Sequence, residues 1–312
     1  MNRLKSKLRV ISIIFYFILT SSSVYIILDT FVIPHEVTSL EQNESTQDTK
    51  GESLESEETG ENSTSDNSAA TITSNSYKDD NISIEITTSR KSDTTYYVAD
   101  ISLSSANYLK TALANNTYGR NIKDTTSSIA EDNNAIFAIN GDYYGFRDYG
   151  YVIRNGVVYR DIANDGNDAL VIDESGNFSI VNESEVSAKE LLNDGAWQVL
   201  SFGPGLIENG EIVVGENEEV SQAKTSNPRT AIGQVDELHY IIIVADGRTS
   251  ESEGLSLYEL AQIMKDYNCT TAYNLDGGGS STMYFNGEVV NNPTNGRSSG
   301  ERSVSDIVYV GY

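Results

Sequence analysis

The chain contains one cysteine and two histidines among its 312 residues, and these shortages exclude several kinds of site. A single cysteine, Cys269, cannot form an internal disulfide. Because His35 and His239 are the only histidines, a zinc site built on histidine and cysteine is excluded. A serine hydrolase triad would depend on His239, which lies in a strand-like apolar run, and no G-x-S-x-G motif accompanies it.

Positive charge is also scarce. The chain has 21 lysines and arginines against 46 aspartates and glutamates, and its formal net charge is -25. Such an acidic domain repels nucleic acid, and no basic patch with interleaved aromatic residues offsets that repulsion. We therefore expect no nucleic-acid partner. The length suits one large or two modest domains, and no internal repeat is present.

One long apolar run lies near the start of the chain. No charged residue occurs from Val10 to Leu28, and four basic residues precede the run. About 20 apolar residues cross a bilayer, and the positive flank predicts a cytoplasmic N-terminus. We expect residues 1–35 to form an uncleaved signal anchor, with the rest of a single-pass membrane protein outside the cell. A cleaved signal peptide is the alternative, although no A-x-A pattern follows the run.

Residues 36–80 have the composition of a disordered linker. They include 12 acidic and 2 basic residues and few large apolar side chains, so they cannot bury enough surface to fold. A self-repelling segment of this kind is expected to hold residues 81–312, the predicted catalytic domain, away from the membrane.

The domain itself is predicted to be α+β, with a mixed, mostly antiparallel sheet and a few packed helices. Tyr96–Leu103 alternates as a strand, whereas 122–132 and 255–267 have helical character, the latter with Ser256 as its cap. Hairpin turns are predicted at Asn155-Gly156, Ser175-Gly176 and Asn286-Gly287.

The segment Asn274–Thr282 delivers a carboxylate, Asp276, into a loop with almost no side chains. Three consecutive glycines make sense where a ligand approaches the main chain or where unusual φ values are needed. The alternative is a tight turn with a solvated aspartate. Three further segments also place polar residues and glycine directly after an apolar strand, at 138–144, 228–233 and 244–248. If these strands are neighbours, their polar ends meet in one cleft.

With these motifs the sequence resembles the phosphodiester glycosidases, many of whose bacterial members are associated with exopolysaccharide. The resemblance runs from about Tyr96 to the C-terminus. It rests on the order and spacing of 140–144, 202–206, 228–233, 245–248, 274–281 and 302–306. It implies hydrolysis of a sugar-1-phosphodiester, with an N-acetylglucosamine phosphodiester as the model substrate and a cell-surface glycan as the natural one.

Glycosidases usually meet an oxocarbenium-like transition state with two carboxyl groups, and we expect Asp276 and Asp142 to supply them. Arginines would stabilise the charge on the departing phosphate, main-chain N–H groups of the glycine loop would form an anion nest, and aromatic residues would line the sugar subsite. The candidate substrate-binding residues are Arg229, Arg248, Arg302, Asn140, Asp246, Gly277, Gly278, Gly279, Ser280, Ser281, Tyr143 and Tyr144.

Two other functions stay open at this stage. No cofactor is required by the expected reaction, but Asp142, Asp246 and Asp276 are hard oxygen donors that suit Ca²⁺ or Mg²⁺. A metal-dependent phosphodiesterase would then cut P–O in place of C–O. A non-catalytic carbohydrate-binding protein of the cell wall is the second alternative, although such a protein has no need of paired acids.

Overall fold

A computed structural model describes residues 2–37, 70–219, 226–296 and 298–312, with the backbone alone for residues 2–13. The first element is α1 (Asn2–Phe31), which is long and apolar enough to cross a membrane by length and composition. None of its apolar window, Ile14–Phe31, is buried in the protein. Most of the segment predicted as a linker, residues 38–69, lies outside the described residues.

Three shorter helices belong to the domain, namely α2 (Thr126–Asp132), α3 (Ala188–Asn193) and α4 (Leu257–Asp266). The cap predicted at Ser256 is confirmed, since its side chain accepts from Glu259 N and the Glu259 carboxylate accepts from Ser256 N. Helix α2 begins four residues later than the sequence predicts. Thr125 caps its start, and the preceding Asp124 pairs with Val304 in an isolated bridge, which holds that stretch extended.

Nine strands form the largest sheet. In spatial order they are β15 (Glu211–Ile212), β14 (Gly205–Glu208), β18 (Thr271–Asn274), β16 (Arg229–Asp236), β17 (His239–Ala245), β5 (Thr94–Leu103), β4 (Ile82–Lys91), β3 (Ser76–Lys78) and β2 (Thr71–Ile72). Strands β2 and β3 lie inside the range predicted as a linker. Tyr77 explains this difference, because its ring is buried in the core and the strand is paired on both sides.

Two five-stranded sheets and two strand pairs complete the fold. The second sheet has the order β20 (Glu288–Val289), β19 (Met283–Phe285), β8 (Phe137–Asn140), β23 (Asp306–Val310) and β6 (Leu109–Leu113). The third has the order β10 (Val157–Arg160), β9 (Val152–Arg154), β13 (Ala196–Leu200), β11 (Asp168–Asp173) and β12 (Phe178–Asn182). The pairs are β1 (His35–Glu36) with β7 (Gly119–Arg120), and β21 (Thr294–Asn295) with β22 (Ser298–Ser299).

All pairings between these named strands are antiparallel, and the α+β prediction with few helices is confirmed. The three predicted hairpins are present as β9–β10, β11–β12 and β19–β20.

The main core lies between the three sheets. Ile242 of the first sheet, Phe137 of the second and Leu170 of the third belong to one buried apolar cluster. The alternate residues of β17, Ile241 and Ile243, face a second cluster that is completed by α4. The ends of β8 and β18, which belong to different sheets, lie close together, since Asn140 Nδ2 donates to Asp276 O at 2.7 Å. The candidate site lies at this point.

Candidate active site

Asp276 follows the end of β18 and carries the carboxylate of the glycine loop. Its side chain is 11% exposed. Oδ2 accepts hydrogen bonds from the Ser280 hydroxyl and from Arg302 Nη2, the latter at 3.1 Å. Arg302 also donates to Ser280 Oγ from Nη2 at 2.6 Å and from Nε at 3.1 Å. Asp276, Ser280 and Arg302 therefore form one cluster, which brings together three residues that the sequence selects.

The glycine loop has the shape that this cluster needs. Gly278 adopts φ +63°, and a Cβ there would lie 2.7 Å from Arg248 Nη2. A Cβ on Gly279 would lie 3.4 Å from Arg302 Nε. Gly278 thus lets the Arg248 guanidinium pack on the loop, and a side chain there would also be strained, whereas the contact at Gly279 is of ordinary van der Waals length.

The carboxyl of Asp276 is harder to ionise than an ordinary aspartate. Burial raises its pKa above the usual value. The positive charge of Arg302, the Ser280 hydroxyl and the charge of Arg147 act in the opposite direction without reversing the shift. A pKa raised by burial and tuned by named charges is typical of functional carboxylates.

Asn140 is placed at the end of β8 and is completely buried. Its Nδ2 donates to the main-chain oxygens of Asp276, at 2.7 Å, and of Gly141, at 3.2 Å. Its Oδ1 accepts from the Thr230 hydroxyl at 2.9 Å and from Thr282 N at 3.3 Å. All four hydrogen bonds of the carboxamide are used. Asn140 therefore holds the Asp276 loop and has no group left for a substrate.

Asp142, the second predicted acid, lies deeper than Asp276. Its side chain is fully buried, and Oδ2 accepts from Arg154 Nη2 at 2.8 Å and from Ser201 N at 2.9 Å. Oδ1 accepts from Tyr144 N at 3.0 Å. Since a carboxylate with these partners is enclosed and paired, Asp142 cannot contact a substrate in this arrangement.

Asp306 shares the same guanidinium. Arg154 Nη2 lies 2.7 Å from its Oδ2, and Arg154 Nε lies 3.0 Å from the same oxygen. Burial raises the pKa of Asp306 well above the usual value, with Asp142 and Asp276 adding to the increase and Arg154 opposing it. The three carboxyl groups are therefore electrostatically linked through Asp306. Oδ1 of Asp306 is buried without a hydrogen-bond partner among the described residues.

Neither Arg154 nor Asp306 is among the residues that the sequence selects as site candidates. Asp306 ends the motif 302–306, and Arg154 directly precedes the hairpin turn Asn155-Gly156. The motif is the signal that could have found Asp306. No local signal marks Arg154, because its importance comes from two partners that are distant in sequence.

The remaining predicted arginines form a second group. Arg229 is buried, with Nη2 2.6 Å from the Glu219 carboxylate and Nε 2.9 Å from Leu255 O. Burial lowers the pKa of Arg229, Glu219 raises it, and the charge of Arg248 lowers it further. Arg248 packs against Gly278 and donates to Asn227 Oδ1 at 3.2 Å. A phosphate on Arg229 would have to displace Glu219.

Asp246 is held by a separate set of groups. Oδ1 accepts from Asn292 N at 2.9 Å and Asn291 Nδ2 at 3.3 Å, and Oδ2 accepts from Asn292 Nδ2 at 3.2 Å. Tyr97 OH donates to Oδ2 at 3.4 Å. Asn291 also donates to Ser281 O at 3.0 Å, which ties this set to the glycine loop. Asp246 thus stabilises the glycine loop indirectly, through Asn291.

The two predicted tyrosines have different places. Tyr143 stacks on Phe146 with ring centroids 4.6 Å apart, and the Arg147 guanidinium lies 5.5 Å from the Tyr143 centroid. Because Arg147 also lowers the pKa of Asp276, Tyr143 belongs to the surroundings of the site. Tyr144 is buried and stacks on Tyr118, so it is a core residue.

The predicted anion nest is largely occupied by the protein itself. The N–H groups of Gly278 and Ser280 donate to Pro228 O and Gly277 O at 2.8 and 3.2 Å. In contrast, Oγ of Ser281 and Oγ1 of Thr282 are buried without a partner among the described residues. These hydroxyl groups and the Arg302 guanidinium are donors next to the loop.

The three acids considered for a metal do not form one donor set. Among the described residues, no group of three or more histidine, cysteine, aspartate or glutamate side chains has the geometry to hold an ion. Asp142 and Asp246 are each saturated by different partners. Asp142, Asp246 and Asp276 therefore do not fit a shared divalent-metal centre.

Comparison with known proteins identifies the family of this chain. Residues 133–311, which include Asp276, Arg302 and Asp306, match the model of the phosphodiester glycosidase family. The chain belongs to the phosphodiester glycosidase family. This family acts on phosphodiester-linked sugars, and the resemblance stated from the sequence is confirmed.

Relatives of known sequence support the assignment. The chain is 30% identical over 202 residues to the SPbeta prophage-derived protein YomE of Bacillus subtilis (strain 168). It is 35% identical over 109 residues to the mouse N-acetylglucosamine-1-phosphodiester alpha-N-acetylglucosaminidase. These matches cover 62% and 31% of this chain but 31% and 21% of the relatives, so the chain spans less than a third of their length.

Solved structures share the glycosidase fold. The catalytic domain of the zebrafish N-acetylglucosamine-1-phosphodiester alpha-N-acetylglucosaminidase superposes with a TM-score of 0.59 at 20% identity, covering 74% of this chain and 83% of that one. A protein from Synechocystis gives a TM-score of 0.57 at 16% identity, covering 74% and 62%. At these identities the similarity establishes the fold alone.

Proposed function

We propose that this chain hydrolyses a sugar-1-phosphodiester of the N-acetylglucosamine-1-phosphodiester type, within a cell-surface glycan. The observation that supports this most directly is the cluster of Asp276, Ser280 and Arg302, in which a partly exposed carboxylate lies beside a guanidinium. The family match and the names of the mammalian relatives favour the same substrate class.

In this reaction the bond between the anomeric carbon and the phosphate oxygen breaks. The oxygen of water becomes the sugar hydroxyl, and the phosphate leaves with the proton. Ionised Asp276 faces the anomeric carbon as nucleophile or base, and Arg302 stabilises the negative charge on the departing phosphate. Because phosphate is already a good leaving group, the step does not require a second acid in contact with the substrate. Asp142 then acts through Arg154 as a positioning residue.

We also propose that α1 anchors the protein in the cell membrane, with the domain on the extracellular side. The helix has a fully exposed apolar window, and the basic residues of the chain's first nine positions precede it. The basic flank favours a cytoplasmic N-terminus.

The reaction is tested with full-length protein in detergent, methyl-phospho-N-acetylglucosamine and ¹⁸O-water, followed by NMR with and without EDTA. We expect the label in the sugar and no effect of EDTA. Label in the phosphate, abolished by EDTA, would instead establish a metal-dependent phosphodiesterase. Saturable binding without turnover would establish a carbohydrate-binding protein.

A further inference from the structure

Hydrogen bonds, as well as the covalent backbone, connect the domain to the end of α1. Strand β1 pairs with β7, with His35 opposite Arg120 and Glu36 opposite Gly119. Val37 N continues the ladder by donating to Tyr118 O at 3.0 Å. The strand that follows the helix is therefore part of the folded domain.

Asn121 adds a second connection. Its Nδ2 donates to the main-chain oxygens of Thr30 and Ile33 at 3.1 Å each, and to Asp29 O at 3.5 Å. Carbonyl groups in the last turn of a helix have no partner within the helix. A buried side chain of the domain thus caps α1, and we call this contact the Asn121 cap.

This junction changes the role of the acidic segment. Segment 38–69 begins after Val37 and ends before Ala70, and β1 and β2 on either side of it are both paired with strands of the domain. Its length therefore does not set the distance between the helix and the domain. The expectation that it holds the domain away from the membrane does not follow from this connectivity.

A cavity of about 450 Å³ lies beside the junction. We call it the juxtamembrane pocket, and its lining includes Val37, Tyr118, Arg120, Arg147, Tyr159 and Ile162. Val37 and Ile162 are 52% and 56% exposed, although both are aliphatic. Aliphatic residues, tyrosines and arginines in one concave surface next to an apolar helix suit the interfacial region of a bilayer.

Three arginines and two aspartates, Asp148 and Asp161, line the pocket, so its formal charge is +1 and a phosphate must compete with carboxylates for a guanidinium group. Arg160, which also lines the pocket, is committed to the carbonyl oxygens of Tyr144, Arg147 and Gly150. Among the described residues, the Arg120 guanidinium forms an exposed pair with Asp148, at 3.4 Å, and such pairs are weak. A phosphodiester oxygen can compete with Asp148 for Arg120, since guanidinium groups bind phosphate in a two-point geometry.

We propose that the Asn121 cap holds the domain on the membrane surface and that the juxtamembrane pocket binds a phospholipid headgroup there. The inference rests on the membrane anchor given under the proposed function, and it does not depend on the reaction. Arg120 binds the phosphate, while Val37 and Ile162 lie at the boundary of the acyl chains.

The first test measures the depth of single labels in vesicles that carry the full-length protein. Cys269 is buried, and burial raises the pKa of its thiol to about 12, so it does not compete for a maleimide dye. Ile162→Cys reports the pocket, and Val213→Cys, which is 48% exposed and not part of the pocket lining, is the control. With a nitroxide-labelled phospholipid, we expect quenching at position 162 to be at least about threefold greater than at 213. Equal quenching would overturn the inference.

Two variants then test the parts of the proposal. Asn121→Asp replaces the donors of the cap with a carboxylate that faces carbonyl groups, and it should reduce quenching at position 162 to the level at 213. Asn133→Asp is the matched control, because Asn133 Nδ2 donates to the main-chain oxygen of Ile129 in α2. It should leave quenching at position 162 unchanged. Arg120→Gln with the labelled phospholipid, or the unsubstituted pocket in galactolipid vesicles whose nitroxide is carried by a galactolipid, should lower quenching about twofold. No change with either would show that the pocket does not bind the phosphate.

The anchor itself is checked in the same samples by extraction with alkaline carbonate. Protein that is extracted lacks the anchor, and the failure then belongs to the proposed localisation. Protein that stays in the membrane with equal quenching at positions 162 and 213 refutes the capped, membrane-docked arrangement alone. Turnover of the sugar phosphodiester in detergent is independent of both outcomes.

Discussion

The carboxamide of Asn140 donates a 2.7 Å hydrogen bond to the main-chain oxygen of Asp276. This bond joins the end of β8 in one sheet to the loop after β18 in another. The same carboxamide accepts from Thr230 and Thr282, so one buried side chain connects three segments. The position of the Asp276 carboxylate therefore depends on the relation between two sheets.

Replacing Asn140 by aspartate should lower kcat by about 10- to 100-fold with a smaller change in KM, because a carboxylate oxygen would face the Asp276 carbonyl and displace the loop. Steady-state kinetics on methyl-phospho-N-acetylglucosamine measures this effect. Asn133→Asp makes the same chemical change at the end of α2 and should leave both constants unaffected. An Asn140→Asp enzyme with a raised KM and normal kcat would show that Asn140 contacts the substrate.

Asp276→Asn should reduce kcat by about 10²- to 10⁴-fold while the protein remains folded. The amide keeps the shape of the side chain but cannot act as nucleophile or base. The measurement is turnover, together with circular dichroism and substrate binding by NMR. If hydrolysis stays within a few-fold of the wild-type rate, the assignment of Asp276 is wrong.

Asp142→Asn should act mainly on stability. The change leaves Arg154 paired with Asp306 alone and turns one carboxylate oxygen into an amide that faces a guanidinium. We expect the free energy of unfolding in urea to fall by about 1–3 kcal/mol. Asp148→Asn removes an exposed carboxylate from a surface pair and should change it by less than about 1 kcal/mol. Full stability with lost turnover and loss of the basic limb of the pH profile would instead make Asp142 a catalytic acid.

Arg302→Gln should move the acid limb of the pH profile of kcat/KM to higher pH. Burial already raises the pKa of Asp276, and Arg302 opposes that increase, so its removal raises the pKa further. Since the ionised form of Asp276 is the active one, activity should appear at a higher pH than in the wild type. Arg302→Lys retains the charge and should shift the limb less. A limb that does not move would separate Arg302 from the ionisation of Asp276.

Glu219→Gln tests whether Arg229 binds the substrate phosphate. The Glu219 carboxylate lies 2.6 Å from Arg229 Nη2, in the place that a phosphate oxygen would take. If the substrate competes for that position, weakening the pair should lower KM by about two- to tenfold. Glu218→Gln, one residue earlier on the same segment, is the matched control. An unchanged KM in both variants would make the pair structural.

The sequence predicts the elements of this fold better than the site. Strands, hairpin turns and the Ser256 cap are local patterns, and the structure confirms them. The sequence also identifies the glycine loop and Arg302 as site candidates, because each belongs to a compact motif. The buried Arg154 escapes prediction since two carboxylates from other strands determine its role. For the same reason, Asp142 and Asp276 look equivalent in the sequence, although the Asp276 side chain retains 11% exposure and that of Asp142 retains none.

The composition of the sequence also does not predict that β1 pairs with β7. His35, the last residue of the predicted anchor, and Glu36, the first of the predicted linker, form that strand, and its partner is more than 80 positions away in the chain. Only the tertiary arrangement shows that the chain returns to the domain before segment 38–69 begins.

If the protein is the anchored glycosidase proposed above, the short connection between Phe31 and β1 has a consequence for how it finds its substrate. Only residues 32–34 separate the helix from the strand, so a domain anchored through α1 has little freedom to rise or to turn away from the bilayer. Its search then becomes two-dimensional, by lateral diffusion in the plane of the membrane. Phosphodiesters held near that plane are within reach, whereas those in the outer layers of an envelope must come to the enzyme.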